Sequence, residues 1–248
     1  MFRKGNSDSD TIVLPAHVNQ KISNPWNAKR VGDIPVPEGY TRVVGDDYAD
    51  FLRSLPLKKP RSLVMLFTGE EADAQWLAAA VIDIPLLSNM EQCADMTMRI
   101  RAEYLFSRGR YDEIRFMDVN GKWLQYQGGG SRAAFEKYLR GAYGVCSTYS
   151  LSRETDPRDI ADIEPGDVLV YPSRRSNEYG HAMIVVDVAR KEGSVAIMCA
   201  EGYTPARDAH ILRNKAMPEY NPWFVFNGTE SVLQISAFEF DRTELRHY

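Results

Sequence analysis

Apolar runs bounded by turn residues dominate the second half of the chain. Val168-Leu169-Val170-Tyr171 follows the turn pair Pro165-Gly166, and Met183-Ile184-Val185-Val186 follows His181 after a polar loop from Ser173 to Tyr179. Short continuous runs of this kind predict buried strands. The same signals predict strands over 167–172, 181–189, 194–200, 208–213 and 223–226, with Arg190-Lys-Glu-Gly as the turn between two of them. The first half is patterned differently. Asp47 to Leu55 places Tyr48, Phe51, Leu52 and Leu55 on one helical face and stops before Pro56. Further helices are predicted from Ser88 to Ser107 and from Ser131 to Ala142, the latter capped by the Ser131 hydroxyl. Ser62–Phe67 and Ala78–Ile84 are rich in β-formers and are expected to pair. Glu113–Val119 and Lys122–Tyr126 predict a hairpin around Asn120-Gly121, a favoured two-residue turn. Helices first and strands second argue for an α+β fold with a mainly antiparallel sheet, not a doubly wound parallel one. Residues 1–27 are polar and aperiodic, which predicts a mobile N-terminal tail ahead of a single domain over 28–248.

Composition narrows the function classes. A length of 248 residues is enough for a sizeable core, and a net charge of −4 gives no footprint for nucleic acid. No apolar run reaches the roughly 18 residues of a membrane span. The first residues carry Arg3 and Lys4 with no apolar stretch behind them, which is not a signal-peptide pattern; removal of an export signal would leave the same sequence. Three cysteines, Cys93, Cys146 and Cys199, give an odd count with no CxxC, so neither a complete disulfide framework nor zinc is expected. No His/Asp/Glu cluster has metal-ligand spacing, and no cofactor is expected.

Candidate chemistry centres on one thiol. Cys199 ends a strand pattern and reads as a small buried hydrophobe. Cys146 follows the third helix, whose negative end disfavours a thiolate. Cys93 lies early in the Ser88–Ser107 helix, with capping boxes available from Ser88 with Glu91 or Asn89 with Gln92. Either cap puts it at the start of the second turn, still near the positive end that favours a thiolate. Its competing reading is core, because Cys93, Thr97, Ile100 and Tyr104 share a helical face. His181, 88 positions later, stands at the mouth of a strand, and Glu201 ends the next strand, where it can orient the imidazole. Asp187 lies roughly 20 Å from His181 along the same extended strand, and Asp208 is the reserve orienter. Gln92 or Asn89, with the Cys93 N–H, would stabilise an oxyanion, and Arg174-Arg175 would bind a substrate carboxylate or form a solvated loop.

Gly166-Asp-Val with Gly180-His-Ala-Met-Ile-Val-Val-Asp resembles the histidine segment of papain-like cell-wall hydrolases, the NlpC/P60 and CHAP amidase-peptidases. The order cysteine, histidine, polar orienter in those families matches Cys93, His181 and Glu201. The cysteine motif departs from theirs: Gln92-Cys93-Ala94-Asp95 stands where an Asp-Cys-Ser-Gly type is usual, and Leu87 occupies the place of papain's oxyanion glutamine. A second resemblance, over roughly residues 30–225, is to an uncharacterised bacterial domain-of-unknown-function family. Arg30-Val-Gly-Asp-Ile-Pro-Val-Pro-Glu-Gly-Tyr, Phe51-Leu-Arg-Ser-Leu-Pro-Leu-Lys, Gln92-Cys-Ala-Asp, Arg99-Ile-Arg-Ala-Glu-Tyr-Leu and the His181 segment carry it. Its members often have lipoprotein-type export signals, which implies a cell-envelope location.

The resemblances imply a papain-like core and a thiol-dependent hydrolase of an amide bond in peptidoglycan or an envelope peptide. Two alternatives stand beside it. One is a non-catalytic module binding glycan or peptide in the same cleft. The other is a glycoside hydrolase drawing its two carboxylates from Glu103, Asp112 and Glu113, with Trp26, Trp76, Trp123 or Trp223 stacking on sugar. Gly128-Gly-Gly-Ser lacks the lysine ending of a phosphate loop and reads as a flexible lead into an N-cap. Asp95, Arg99 and Glu103 step by four and predict a row of helix ion pairs.

Overall fold

The computed structural model describes residues 24–173 and 179–248. The described helices are α1 (Asp47–Ser54), α2 (Cys93–Ser107), α3 (Arg132–Ala142) and α4 (Thr148–Glu154). The strands are β1 (Thr41–Arg42), β2 (Ala78–Val81), β3 (Arg115–Met117), β4 (Trp123–Gln125), β5 (Asp156–Pro157), β6 (Val168–Tyr171) and β7 (His181–Lys191). They continue as β8 (Ser194–Glu201), β9 (His210–Leu212), β10 (Trp223–Phe226), β11 (Val232–Ile235), β12 (Phe238–Asp241) and β13 (Leu245–His247). Nine strands form one antiparallel sheet, along β2-β9-β8-β7-β6-β13-β5 with β1 beside β7 and β10 beside β8. The α+β expectation holds.

Strand period explains how this sheet carries two cores. Along β7, Ala182, Ile184 and Val186 join the larger core beneath the helices, while Met183 and Val185 join a second core on the opposite face. β8 alternates likewise, Ala196, Met198 and Ala200 on one side and Val195, Ile197 and Cys199 on the other. α2 packs across β7 and β8. Most of its residues are buried, including Asp95 and Arg99. Such a helix is core on nearly every side. The hairpin β11–β12 closes the second core with Leu233, Ile235 and Phe240.

Local chemistry agrees with most of the sequence-based elements. Asp46 caps α1 by accepting from the Tyr48 and Ala49 N–H groups, Ser131 caps α3 through Ala134 N–H, and Gly121 turns the β3–β4 hairpin at φ 83°. Three expectations need correction. Residues 62–67 form no regular strand and do not pair with Ala78–Val81; β2 pairs with β9, and Met65 and Leu66 make isolated bridges to Glu71 and Arg207. The tail expected through residue 27 gives way at Asn24, whose side chain is buried and hydrogen-bonds both the N–H and the carbonyl of Ala28; residues 1–23 lie outside the described set. The helix expected from Ser88 begins only at Cys93. No helix among the described residues is long and apolar enough to cross a membrane.

A bulge between Val185 and Asp187 resets the β7 register. Asp187, fully buried, receives Arg42 Nε at 2.7 Å and Arg53 Nε at 2.9 Å. The same guanidinium groups donate to the carbonyls of Gly32, Ile34 and Val43, so one carboxylate ties the N-terminal segments to the centre of the sheet. Asp187→Asn leaves two guanidinium groups without their counter-charge and is expected to destabilise the protein by about 3 kcal/mol. Urea unfolding with an unchanged m-value measures it.

Candidate active site

The front of α2 starts at the thiol. Gln92 is the N-cap, its backbone N–H donates to Asp95 Oδ2 at 3.0 Å, and the first intrahelical bond runs from Met96 N–H to the Gln92 carbonyl. Cys93 is therefore the first helical residue, not the start of a second turn. The N–H groups of Cys93, Ala94 and Asp95 have no intrahelical acceptor, and their dipoles favour negative charge at the sulfur. Neither proposed cap at Ser88 or Asn89 is used, because those residues lie in the turn before the helix.

The imidazole comes from the sheet. His181 opens β7, and Glu201 ends the neighbouring antiparallel β8, so the two strand ends meet. His181 Nε2 lies 2.7 Å from Glu201 Oε2, and both residues are buried. The Cys93 thiol acts on the same ring as a hydrogen-bond partner and through charge. With Nε2 engaged by the carboxylate, Nδ1 is the nitrogen left for sulfur. Phe238, from β12, stacks on the ring at 4.1 Å and 16° between planes, and Tyr203 meets it edge-on at 5.5 Å. The three side chains predicted from sequence are thus together.

Sequence reasoning missed His210, which was read as a strand residue. It pairs in register with Glu201 across β8–β9, and its Nε2 lies 3.2 Å from Oε1, near in distance but poorly aligned for a hydrogen bond. Its Nδ1 faces the Asp208 carbonyl at 3.1 Å. Phe238 and Tyr203 were also missed, since no motif marks a ring that only covers another ring. Burial, the largest influence on His181, would lower its pKa; Glu201's charge, the side-chain interactions of the ring with Cys93 and Glu201, and the Cys93 charge together raise it to about 9. For Glu201 burial raises, but His181 and then His210 outweigh it and bring the carboxyl down to about 2. Both shifts favour the charged pair, imidazolium against carboxylate.

Glycines permit the close approach. A Cβ on Gly202, beside Glu201, would lie 2.9 Å from Met96 Cβ and 3.2 Å from the Gln92 carbonyl oxygen. A Cβ on Gly180, beside His181, would lie 2.3 Å from Thr148 Oγ1 and 2.6 Å from the Tyr171 carbonyl oxygen. Cys93 opens into a cleft of about 210 Å³ lined by Gln92, Asp95, Tyr143, Cys146, Thr148, Gly180 and Thr204, among others.

The remaining candidates sort clearly. Gln92 lines the cleft and its Oε1 accepts from Thr204 Oγ1 at 3.0 Å, which leaves its amide N–H₂ as a donor. Asn89 is exposed and does not line the cleft. Arg174 and Arg175 lie outside the described residues. Asp208 receives Lys58 Nζ at 2.8 Å and Met65 N–H at 2.9 Å, and so ties loops together instead of orienting His181. Cys199 is fully buried, and burial followed by the Glu201 charge pushes its thiol pKa far up; Cys146 is raised to about 12 by burial and then by Glu154, Asp95 and Asp118. Arg99 pairs with Glu91 at 2.6 Å and Glu103 at 3.3 Å, while Asp95 stays out of the expected ion row. Glu103 also holds Arg132, and Glu113 pairs with Arg110, so two of the three glycosidase candidates are engaged in ion pairs. Trp223 is core, with its indole N–H donating to the Pro35 carbonyl, and Trp123 lies under the Arg115 guanidinium. Among the described residues no group of three His, Cys, Asp or Glu side chains is placed to hold a metal ion.

Comparison with known families gives one finding. The family described as domain of unknown function 4846 matches residues 31–129 and 123–247. Neither the curated proteins nor the solved structures contain a match to the chain. The chain belongs to that domain-of-unknown-function family.

The ion pair has a defined pH signature. His181, raised from 6.5 to about 9, contributes stability that is full below 6.5 and is lost as pH rises through 9. Glu201, lowered from 4.5 to about 2, contributes stability present above 4.5 and lost as pH falls through 2. Glu201→Gln should flatten the alkaline decline between those His181 values, as read by melting temperature across pH. Gly202→Ala should cost about 1–3 kcal/mol by overpacking α2 against β8. The matched control is Gly141→Ala in α3, where a Cβ meets nothing within 4 Å and the melting temperature should hold or rise.

Proposed function

We propose, for a chain whose family carries no assigned chemistry, that it is a cysteine hydrolase of amide bonds with Cys93 as nucleophile, His181 as acid–base and Glu201 as orienter. The observation that supports this most directly is a single buried ring paired with a carboxylate at 2.7 Å and acted on by the thiol that starts α2. In this reading the core is papain-like and the fold serves to join one helix end to two strand ends.

The chemistry follows from the positions of the groups. The Cys93 sulfur, as thiolate, attacks the carbonyl carbon and the C=O π pair moves to oxygen. The oxyanion then faces the Cys93 backbone N–H and the Gln92 side-chain amide, donors held in place before the reaction. The tetrahedral intermediate collapses, the C–N bond breaks, and the amine leaves with the proton from His181. Neutral His181 next takes a proton from water, whose oxygen attacks the thioester. Collapse releases the carboxylic acid and restores thiolate and imidazolium. Glu201 holds Nε2 throughout, so Nδ1 points at sulfur, and Phe238 keeps water off the ion pair. The resemblance to cell-wall amidase-peptidases suggests peptidoglycan stem peptides or related envelope peptides as the substrate class.

Cys93→Ala is expected to abolish hydrolysis of such peptides with no change in melting cooperativity, and Glu201→Gln to lower kcat about 10²-fold or more. Iodoacetamide should alkylate Cys93 rapidly at pH 6, ahead of Cys146 and Cys199, as mass spectrometry would show. Full turnover by Cys93→Ala, or Cys93 alkylation that is sluggish until alkaline pH, rejects the assignment and leaves a non-catalytic binding module.

A further inference from the structure

Two residues that line the cleft beside Cys93 each carry a buried polar atom with no partner among the described residues. Asp95 commits Oδ2 to the Gln92 N–H, while Oδ1 is buried and unpaired. The Tyr143 hydroxyl is in the same condition. Both residues line the cleft, and they are 6% and 4% exposed. A carboxylate oxygen left unpaired away from water costs on the order of 1–3 kcal/mol, so a site keeps one where something else completes it.

The surroundings specify what completes it. Burial is the largest influence on Asp95 and raises it to about 7; the Gln92 N–H lowers it, and the neighbouring Glu91 carboxylate raises it. No cationic side chain appears among the influences on Asp95; Arg99, which acts on Tyr143, is itself paired with Glu91 and Glu103. The described lining offers Ser147, Thr148 and Thr204 hydroxyls, one acid and no base, with Tyr179 exposed at the rim. A substrate carboxylate would meet like charge here. A protonated amine would meet a carboxylate and hydroxyl oxygens, and charge-assisted bonds of that kind are the strong ones. At about 210 Å³ the space is below that of a drug-sized pocket, which suits one small residue and its amino group.

We propose that the cleft recognises a protonated amino group through Asp95 Oδ1 and the Tyr143 hydroxyl, so that the amide cleaved at Cys93 lies beside an amine-bearing residue. Which bond is cut rests on the hydrolase reading above; which group is bound rests on the cleft alone.

Alaninamide and N-acetylalaninamide differ in that amine and serve as probes. In Cys93→Ala protein, NMR titration should show alaninamide binding at least tenfold more tightly, with shifts at Asp95, Tyr143 and Thr204. Asp95→Asn, added to Cys93→Ala, retains an acceptor for the Gln92 N–H and should erase the preference; Tyr143→Phe should reduce it. Equal binding of both probes, no binding of either, or a preference that survives Asp95→Asn overturns the proposal. The probe comparison needs no Asp95 variant, so it decides even if that variant fails to fold. Amine preference together with sluggish Cys93 alkylation keeps the amine site and discards the hydrolase. Rapid alkylation with no amine preference does the reverse.

Discussion

A carboxylate with 1% exposure does not stay ionised unless positive charge is held against it, and Glu201 is such a carboxylate. His181 at 2.7 Å supplies the charge, with His210 at 3.2 Å on the other oxygen. Much of the site's arrangement follows from this requirement. The two strand ends must meet so that carboxylate and ring coincide, and the ring must be shielded so that water does not weaken the pair. Phe238 and Tyr203 do the shielding. The thiol then faces a positively charged nitrogen, beside the positive end of its own helix.

Antiparallel pairing is the device that makes the meeting possible. β7 begins and β8 ends at the same edge of the sheet, so His181 and Glu201, 20 positions apart, become neighbours without any special loop. Alternation then matters. His181, Glu201 and His210 share the strand parity of the second core, and the β11–β12 hairpin that seals that core carries the ring over His181. The thiol arrives from the helical side, around the end of the sheet. That route is narrow, and Gly180 and Gly202 are the positions where a side chain would obstruct it.

How much of this was legible in the sequence depends on the range of the interaction. β6 through β10 announced themselves, because buried strands are local runs of apolar residues between turns. Cys93, His181 and Glu201 were legible because their order and their places at element ends survive without coordinates. The start of α2 was not. Ser88 and Asn89 are the plausible caps by residue type, Gln92 is not, and only the burial of Glu91 on Arg99 and the turn of Asp95 back to Gln92 N–H reveal the cap that is used. The pairing of β2 with β9 was hidden because the two are separated by more than a hundred residues, and the nearer apolar run at 62–67 was the natural partner. α4 and β11–β13 are short, and their pattern is too weak to separate from loop. His210 shows the limit most clearly: a histidine inside a strand pattern has no local sign that the facing strand places a carboxylate opposite it.

Where the chain departs from the ordinary rules is also informative. Apart from Glu201 Oε1 and Ser236 Oγ, the buried polar atoms without partners among the described residues fall into two groups along α2. At its C-terminal half, Tyr48, Glu154 and Tyr248 are unpaired, and the Arg101 charge acts on all three against the burial that still raises each of them. At the N-terminus, Asp95 and Tyr143 are unpaired, and the charges acting on Asp95 include no cation. Among the described residues, Arg101 acts on the unpaired groups at one end, while at the other Arg99 acts on Tyr143 and no cation acts on Asp95. Asp95 is the unpaired carboxylate, among the described residues, on which no cation acts, and a stability cost left there is one that a ligand could repay. Its end of the helix is the end that carries Cys93. In the proposed reading the same helix supplies both the nucleophile, Cys93, and, two residues on in the same turn, the Asp95 contact that holds a substrate against it.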